Sequence, residues 1–389
     1  MTIERKTHFD NAKRVVVKVG SNVLTEDYGL NLNIVRSISR QICRLIDRGL
    51  EVILVSSGAM SAGMRKIGLS RRPDEIPKRQ AVSAVGQAGL IMEYENAFER
   101  YGNKVAQILL TGDNLSNRKM YLNARNTLYT LLSWQVVPII NENDTVAIES
   151  IKFGDNDNLA ALITLMMDAD ILIILSDIDG LYNRDPRRFP DAELIPVIST
   201  IKKNLEKLAS DIPGSLGTGG MLSKIKAAKK VTSGGIPMII ANGNIPDVLE
   251  KLFDGQSHGT FFEPSTERMA SRKCWIGYSI KPEGVLFLDE GAVTAIVRRG
   301  KSLLPSGIVR VDGEFGVGAA VEFKSPDGEI LGAGLVNYGS TDIRKIMGLQ
   351  SAQISERLGE KPYDEVIHRD NLVITSGCTA GAMSSEVCI

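Results

Sequence analysis

No two of the four cysteines (Cys43, Cys274, Cys378 and Cys388) stand at C-x-x-C spacing, and only three histidines, His8, His258 and His368, accompany them. That poverty argues against a zinc site, and no metal ligands are assigned. The thiols read as reduced ones in a cytoplasmic protein. The opening segment, MTIERKTHFDNAKR, has no apolar stretch of the kind a leader carries, and nowhere do as many as ~18 apolar residues follow one another. An excess of one charge is missing too: lysine plus arginine number 46, against 46 for aspartate plus glutamate, so no footprint for a polyanion covers the chain. Aromatic residues make up 5%, too few for a platform on which bases stack. There is no G-x-x-x-x-G-K-[ST], nor a G-x-G-x-x-G behind the first strand-like run. P-loop chemistry and dinucleotide-dependent redox chemistry are thereby set aside.

What is present is glycine, 37 of 389 residues, above the usual ~7%. Extra glycine suits a backbone that approaches ligands closely in its loops. The length allows two or three domains at ~150 residues each, with a core large enough to need no disulfides.

The first 262 residues alternate short apolar runs with longer amphipathic ones. Val15–Val19, Val52–Val55, Val105–Leu109, Val136–Ile140, Ile171–Leu175 and Pro237–Ala241 read as strands. Leu32–Arg48, Lys78–Tyr101, Arg118–Leu132, Asn158–Met167 and Gly220–Ser233 read as helices. β-Branched runs alternating with helices predict an α/β fold, a mostly parallel open sheet sandwiched by helices. On Leu32–Arg48, Val35, Ile38, Ile42 and Leu45 share one face; Arg36, Arg40, Arg44 and Arg48 line another, read as solvated or as a contact for a second subunit. The rhythm stops near Glu263. Residues 263–281 read as a linker, and 282–375, rich in PSG, DGE and PDGE turns, as a small mostly-β domain. The small, polar stretch 376–389 reads as a disordered tail.

In an open α/β sheet, ligands bind where strands end. Lys18 lies inside the first apolar strand, costly to bury unless something anionic meets it; the alternative is an edge-strand lysine reaching outward. The second strand runs into SSGAMSAG (Ser56 to Gly63), an anion-binding strand-to-helix turn or a plain serine-capped one. Between Asn141 and Asn158 stand Asn141, Glu142, Asn143, Asp144, Asp155, Asn156 and Asp157, which need a cation, a polar substrate or helix-capping duty. Ser176-Asp177 ends the fifth strand. SLGTGGMLSK (Ser215 to Lys224) sets glycines before a helix that carries a lysine, a recipe for polyphosphate, or else a glycine hinge.

Together, VVVKVGSNVL, SSGAMSAG, INENDTV, FGDNDN, LSDIDGLYNRDP and LGTGGMLSK resemble the glutamate 5-kinases of the amino-acid kinase family, and the second part is similar to the PUA domain that many of them carry. The resemblance runs from about Arg14 to Ile374. It implies a catalytic domain of the amino-acid kinase fold over 1–262 and a PUA-like domain over 282–375. The implied reaction is ATP-dependent phosphorylation of the side-chain carboxylate of L-glutamate, the first step of proline biosynthesis, with proline as inhibitor. The resemblance makes Lys18 and Lys224 the lysines that grip the phosphoryl group and Asp157 the aspartate that holds them. Ser57, Asp144, Asn156 and Asp155 fall at substrate positions. Lys18, Ser176, Asp177, Thr218, Gly219, Gly220, Met221, Leu222, Ser223 and Lys224 fall at nucleotide positions. Mg²⁺ is expected to ride mainly on the ATP phosphates. A homo-oligomer and hand-over to glutamyl-phosphate reductase are expected partners; a membrane is not. Between Glu283 and Lys361, eleven acidic residues face nine basic ones, a balance that argues against RNA. The competing readings are a relative acting on N-acetylglutamate, aspartate, carbamate or UMP, and an RNA-binding or regulatory protein on a dead kinase scaffold. Ser176 stands where the family often has threonine, which keeps the hydroxyl.

Overall fold

Runs of valine, isoleucine and leucine without polar interruption need cover on both faces, and they receive it. The computed structural model describes residues 3–26, 29–146, 156–201, 205, 220–265, 271–278 and 280–375. The chain divides into two compact units, Met1–Met269 and Ala270–Ile389. The first holds β1 (Arg14–Val19), β2 (Thr25–Glu26), β3 (Gly29–Leu30), β4 (Glu51–Ser56), β5 (Lys104–Leu110), β6 (Val136–Glu142), β7 (Ile171–Ser176), β8 (Val197–Ile198), β9 (Met238–Asn242) and β10 (Thr260–Phe262). Eight of these form one sheet in the order β5-β6-β4-β1-β7-β9-β10-β8; β2 and β3 pair separately. Pairings from β5 through β9 are parallel, whereas β10 runs antiparallel to β9 and carries β8 parallel to itself.

Each expected strand is present to within a residue or two, and so is each expected helix. β8 and β10, of two and three residues, are too short to show a periodicity and extend the sheet beyond those six. β1 lies in the middle of the sheet. Its Val15, Val17 and Val19 join Ile38, Ile42 and Leu45 of the Leu32–Asp47 helix and Leu90, Tyr94 and Phe98 of the Ile76–Glu99 helix in one core. By strand alternation, Val16 and Lys18 point to the opposite face. There the Asn156–Met166 helix packs on β1 and on the Met221–Ser233 helix.

The arginine stripe on Leu32–Asp47 is not simply solvated. Arg40 pairs with Asp247 at 2.5 Å, Arg44 with Glu250 at 2.7 Å and Arg48 with Asp254 at 2.8 Å, lacing this helix to the Val248–Phe253 helix of the same chain. Each arginine sits one turn beyond the last, and so do the carboxylates that face them.

The second unit holds β11 (Gly284–Leu288), β12 (Ile308–Asp312), β13 (Ala320–Lys324), β14 (Ile330–Leu335) and β15 (Leu372–Ile374), in the order β12-β11-β13-β14-β15. β11 and β13 are parallel and the other neighbours antiparallel. Leu286, Leu288, Val321, Phe323, Ile343 and Ile367 belong to its separate core. Within 263–281 lies a helix, Ser271–Tyr278, which packs on β14 and β15 and buries Trp275 and Ile276. The stretch 376–389 lies outside the described residues. Among the described residues no helix is long and apolar enough to cross a membrane.

Candidate active site

Three strands of the first unit, β1, β4 and β7, lie side by side and end at one edge of the sheet, where the side chains expected to be catalytic converge. β1 delivers Lys18, with 4% of its surface exposed. The Asn156–Met166 helix places Asp157 in its first turn, 1% exposed, and the Met221–Ser233 helix places Lys224 in its own, 5% exposed. The Lys18 ammonium lies 2.7 Å from Oδ1 of Asp157 and the Lys224 ammonium 3.1 Å from Oδ2. The Ser223 hydroxyl donates to the same Oδ2 at 2.6 Å. Burial alone would push the Asp157 carboxyl up; the two ammonium groups, with hydrogen bonds from Lys18 and Ser223, outweigh it and hold the group well below the usual carboxylate range. Two buried ammonium groups thus share the one carboxylate of Asp157, an arrangement suited to receiving an anion such as a polyphosphate.

A second cluster adjoins the first through the chain. Asn156, next to Asp157, directs its amide nitrogen to the Ser56 carbonyl at 3.2 Å, the Ser57 hydroxyl at 3.0 Å and Oδ1 of Asn141 at 3.0 Å. Its own Oδ1 is buried with no hydrogen-bond partner. Ser57 therefore comes together with Asn156. The turn after Ser57 depends on Gly58, whose φ of +105° is a left-handed value that a side chain disfavours. In the sequence Asn141 is one polar residue among many; here its Oδ1 also accepts from the Glu142 N–H at 2.9 Å. Asp144 has a different environment. Burial raises its carboxyl from the ordinary value, while the Ser83 hydroxyl and the positive charge of Arg72 pull it back in part. Neither Ser83 nor Arg72 stands out in the sequence, because they come from a segment that carries none of the motifs.

At the tip of β7, Ser176 and Asp177 adjoin. The Asp177 carboxylate accepts from the Asn22 amide at 2.9 Å and the Ser176 hydroxyl at 3.1 Å. Burial opposes its ionisation, but Asn22, its own backbone N–H, Ser176 and the charge of Lys224 together keep its pKa below the ordinary value. Asn22 is thus a further residue of this site, and no sequence signal marks it beyond its place after Gly20-Ser21. Gly220, Met221 and Leu222 open the helix that carries Ser223 and Lys224, and no side chain caps that helix. Asp155, Thr218 and Gly219 lie outside the described residues. Among the described residues no group of three or more histidine, cysteine, aspartate or glutamate side chains could hold a metal ion.

The amino acid kinase family matches residues 13–242, a span that contains every residue of both clusters, and the PUA domain family matches residues 284–358. The glutamate 5-kinase of Syntrophus aciditrophicus is 50% identical over 374 residues, covering 96% of this chain and 97% of that protein. The chain belongs to the amino acid kinase family, among its glutamate 5-kinases. Glutamate 5-kinases of Geobacter sulfurreducens and Caldanaerobacter subterraneus subsp. tengcongensis are 49% and 50% identical, each covering 93% of this chain and 97% of its own length. For an amino acid kinase the arrangement is chemically economical. It offers fixed positive charge for phosphoryl oxygens, and amide and hydroxyl groups for a polar acceptor.

Proposed function

We propose that this chain transfers the γ-phosphoryl group of ATP to the side-chain carboxylate of L-glutamate, giving L-glutamyl 5-phosphate and ADP, the first step of proline biosynthesis, in the cytoplasm. The observation that carries the reading is the buried set of Lys18, Asp157 and Lys224 at 2.7 and 3.1 Å. A glutamate side chain ionises near ~4.3, so at neutral pH the acceptor is already a nucleophile and needs no general base. One carboxylate oxygen forms a bond to the γ-phosphorus while the bond to the β–γ bridging oxygen breaks, and ADP leaves with that electron pair. The obstacle is electrostatic, an anion approaching a polyanion, and catalysis consists of holding positive charge where the equatorial oxygens gather it.

In this reading Lys18 and Lys224 take up that charge and Asp157 fixes both ammonium groups. The uncapped first turn of the Met221–Ser233 helix offers backbone N–H groups to the phosphates. Ser176, Asp177 and the backbone of the segment from Thr218 through Lys224 complete the nucleotide side. Ser57, Asn156 and Asp155 shape the acceptor pocket, with the unpartnered Oδ1 of Asn156 available to accept from the substrate. Asp144 receives the substrate ammonium. Mg²⁺, carried on the ATP phosphates, supplies further charge neutralisation when bound; the lysine-rich donor set here suits the phosphates themselves. Inhibition by proline, assembly into a homo-oligomer and hand-over of the acyl phosphate to glutamyl-phosphate reductase belong to the same proposal.

The test is ADP release from MgATP with L-glutamate, with hydroxylamine present to trap an acyl phosphate. Parallel reactions hold aspartate, N-acetylglutamate, carbamate or UMP. Hydroxamate from glutamate alone is the expected result; turnover only with another acceptor overturns the substrate assignment.

A further inference from the structure

Asp157 divides its two oxygens unequally. Oδ1 receives Lys18 at 2.7 Å, whereas Oδ2 is shared between the Ser223 hydroxyl at 2.6 Å and Lys224 at 3.1 Å. Two donors on one carboxylate oxygen compete for its electron density, and the shorter contact belongs to the uncharged one. The Ser223 hydroxyl also lies 2.8 Å from the Gly220 carbonyl, the last residue before the helix. A hydroxyl has one proton, so it can donate fully to only one of these two acceptors.

We infer that Ser223 is a positioning residue: its hydroxyl, by occupying Oδ2 of Asp157, limits the pull of that oxygen on Lys224 and leaves the ammonium where charge develops on the transferring phosphoryl group. This rests on the phosphotransfer reading above and names a function for a side chain that would otherwise count as one more nucleotide contact. Without the hydroxyl, Oδ2 falls wholly to Lys224, the ion pair shortens, and the ammonium is drawn from where the transition state needs it. The same proton links the carboxylate to the end of the glycine-rich segment. When the hydroxyl turns from Asp157 to the Gly220 carbonyl, the grip on Lys224 tightens, so the seating of that backbone and the availability of the lysine are coupled. Lys18, on the other oxygen, is outside this competition.

The consequence is a separation of turnover from nucleotide binding. A side chain that acts through Asp157 on the transition state alone lowers kcat and leaves ground-state affinity in place. Ser223→Ala should lower kcat about tenfold while the Kd for MgADP stays within about twofold of wild type. Ser223→Thr, which restores a hydroxyl at the same place, should recover most of the lost turnover. Thermal unfolding of each variant, measured alongside, shows that the compared proteins are folded. The inference fails if Ser223→Ala turns over like wild type, or if MgADP affinity falls by the same factor as kcat, since the hydroxyl would then be a nucleotide ligand. It fails as well if Ser223→Thr is no better than Ser223→Ala. Hydroxamate formation by the wild-type chain in the same assay reports on the glutamate reading by itself, so the ratio of variant to wild type tests Ser223 alone.

Discussion

Lys18 and Asp157 meet at 2.7 Å with 6% and 1% of their side chains exposed. The pleat of β1 brings this about. Its odd-numbered valines enter the core under the Leu32–Asp47 and Ile76–Glu99 helices, so Lys18 must leave on the other face, where the Asn156–Met166 helix begins. Asp157 stands in that helix's first turn, a position that also favours negative charge. A one-residue slip of β1 would send the ammonium into hydrocarbon.

Lys224→Ala should separate chemistry from acceptor binding. Loss of one fixed donor to a transition-state oxyanion costs about 10²–10³ in kcat, and little of that should reach the KM for glutamate. Steady-state kinetics in the hydroxamate assay checks it; an unchanged kcat removes Lys224 from the reaction.

Asp157→Asn should change both stability and its pH dependence. Removing one partner of a buried ion pair costs about 3–5 kcal/mol. Because the folded state holds this carboxyl below its unfolded value, its contribution is fully present above the unfolded pKa of ~3.9 and is lost as the pH falls through the folded one. Wild type should therefore lose stability on acidification more steeply than Asp157→Asn below about pH 5, as urea midpoints at a series of pH values would record.

Asp144→Ala should raise the KM for glutamate and leave that for ATP unchanged; an effect confined to ATP would show the acceptor pocket to be misplaced. With its carboxyl raised by burial, Asp144 takes up a proton at a higher pH than an ordinary aspartate. The KM for glutamate should accordingly climb as the pH falls through that raised value. Removing the opposing charge with Arg72→Ala should move the climb to higher pH still, visible in a KM profile of the two proteins side by side.

Truncation should preserve phosphoryl transfer, provided the cut respects the helix. A chain ending at residue 269 keeps the first unit whole and should stay active and soluble. One ending at residue 281 retains Ser271–Tyr278 without β14 and β15, leaving Trp275 and Ile276 uncovered, and should aggregate more readily by light scattering. Loss of activity in a folded 1–269 chain would assign the second unit a part in catalysis.

The sheet and the two lysines are readable in the sequence because each leaves a mark within a few residues: unbroken β-branched runs for the strands, a lone ammonium in one of them for Lys18, and glycines before a helix for Lys224. The features that leave no such mark depend on partners far away in the chain. Arg44 has the look of any solvated arginine until Glu250 appears 206 residues later, with both its oxygens on one guanidinium nitrogen at 2.9 and 2.7 Å. Asn22 means nothing without Asp177, nor Ser83 without Asp144. β10 owes its conformation to the edge of β9, and β8 to that of β10, not to a pattern of their own.

The helix that starts just after Ser57, Ala59–Ile67, crosses the Ile76–Glu99 helix where both present glycine. A methyl group on Gly63 would stand 1.9 Å from the Val82 carbonyl oxygen, and one on Gly86 would stand 1.7 Å from that of Ala59. Two backbones in such contact form a single packed beam. Tyr94, farther along the longer helix, anchors the same beam at Ser56 with a hydroxyl contact of 2.9 Å. The turn at Ser57 is thus tied at two places to a helix 24 residues long, so a substitution on that helix that spreads the crossing would disturb the turn without touching the sheet.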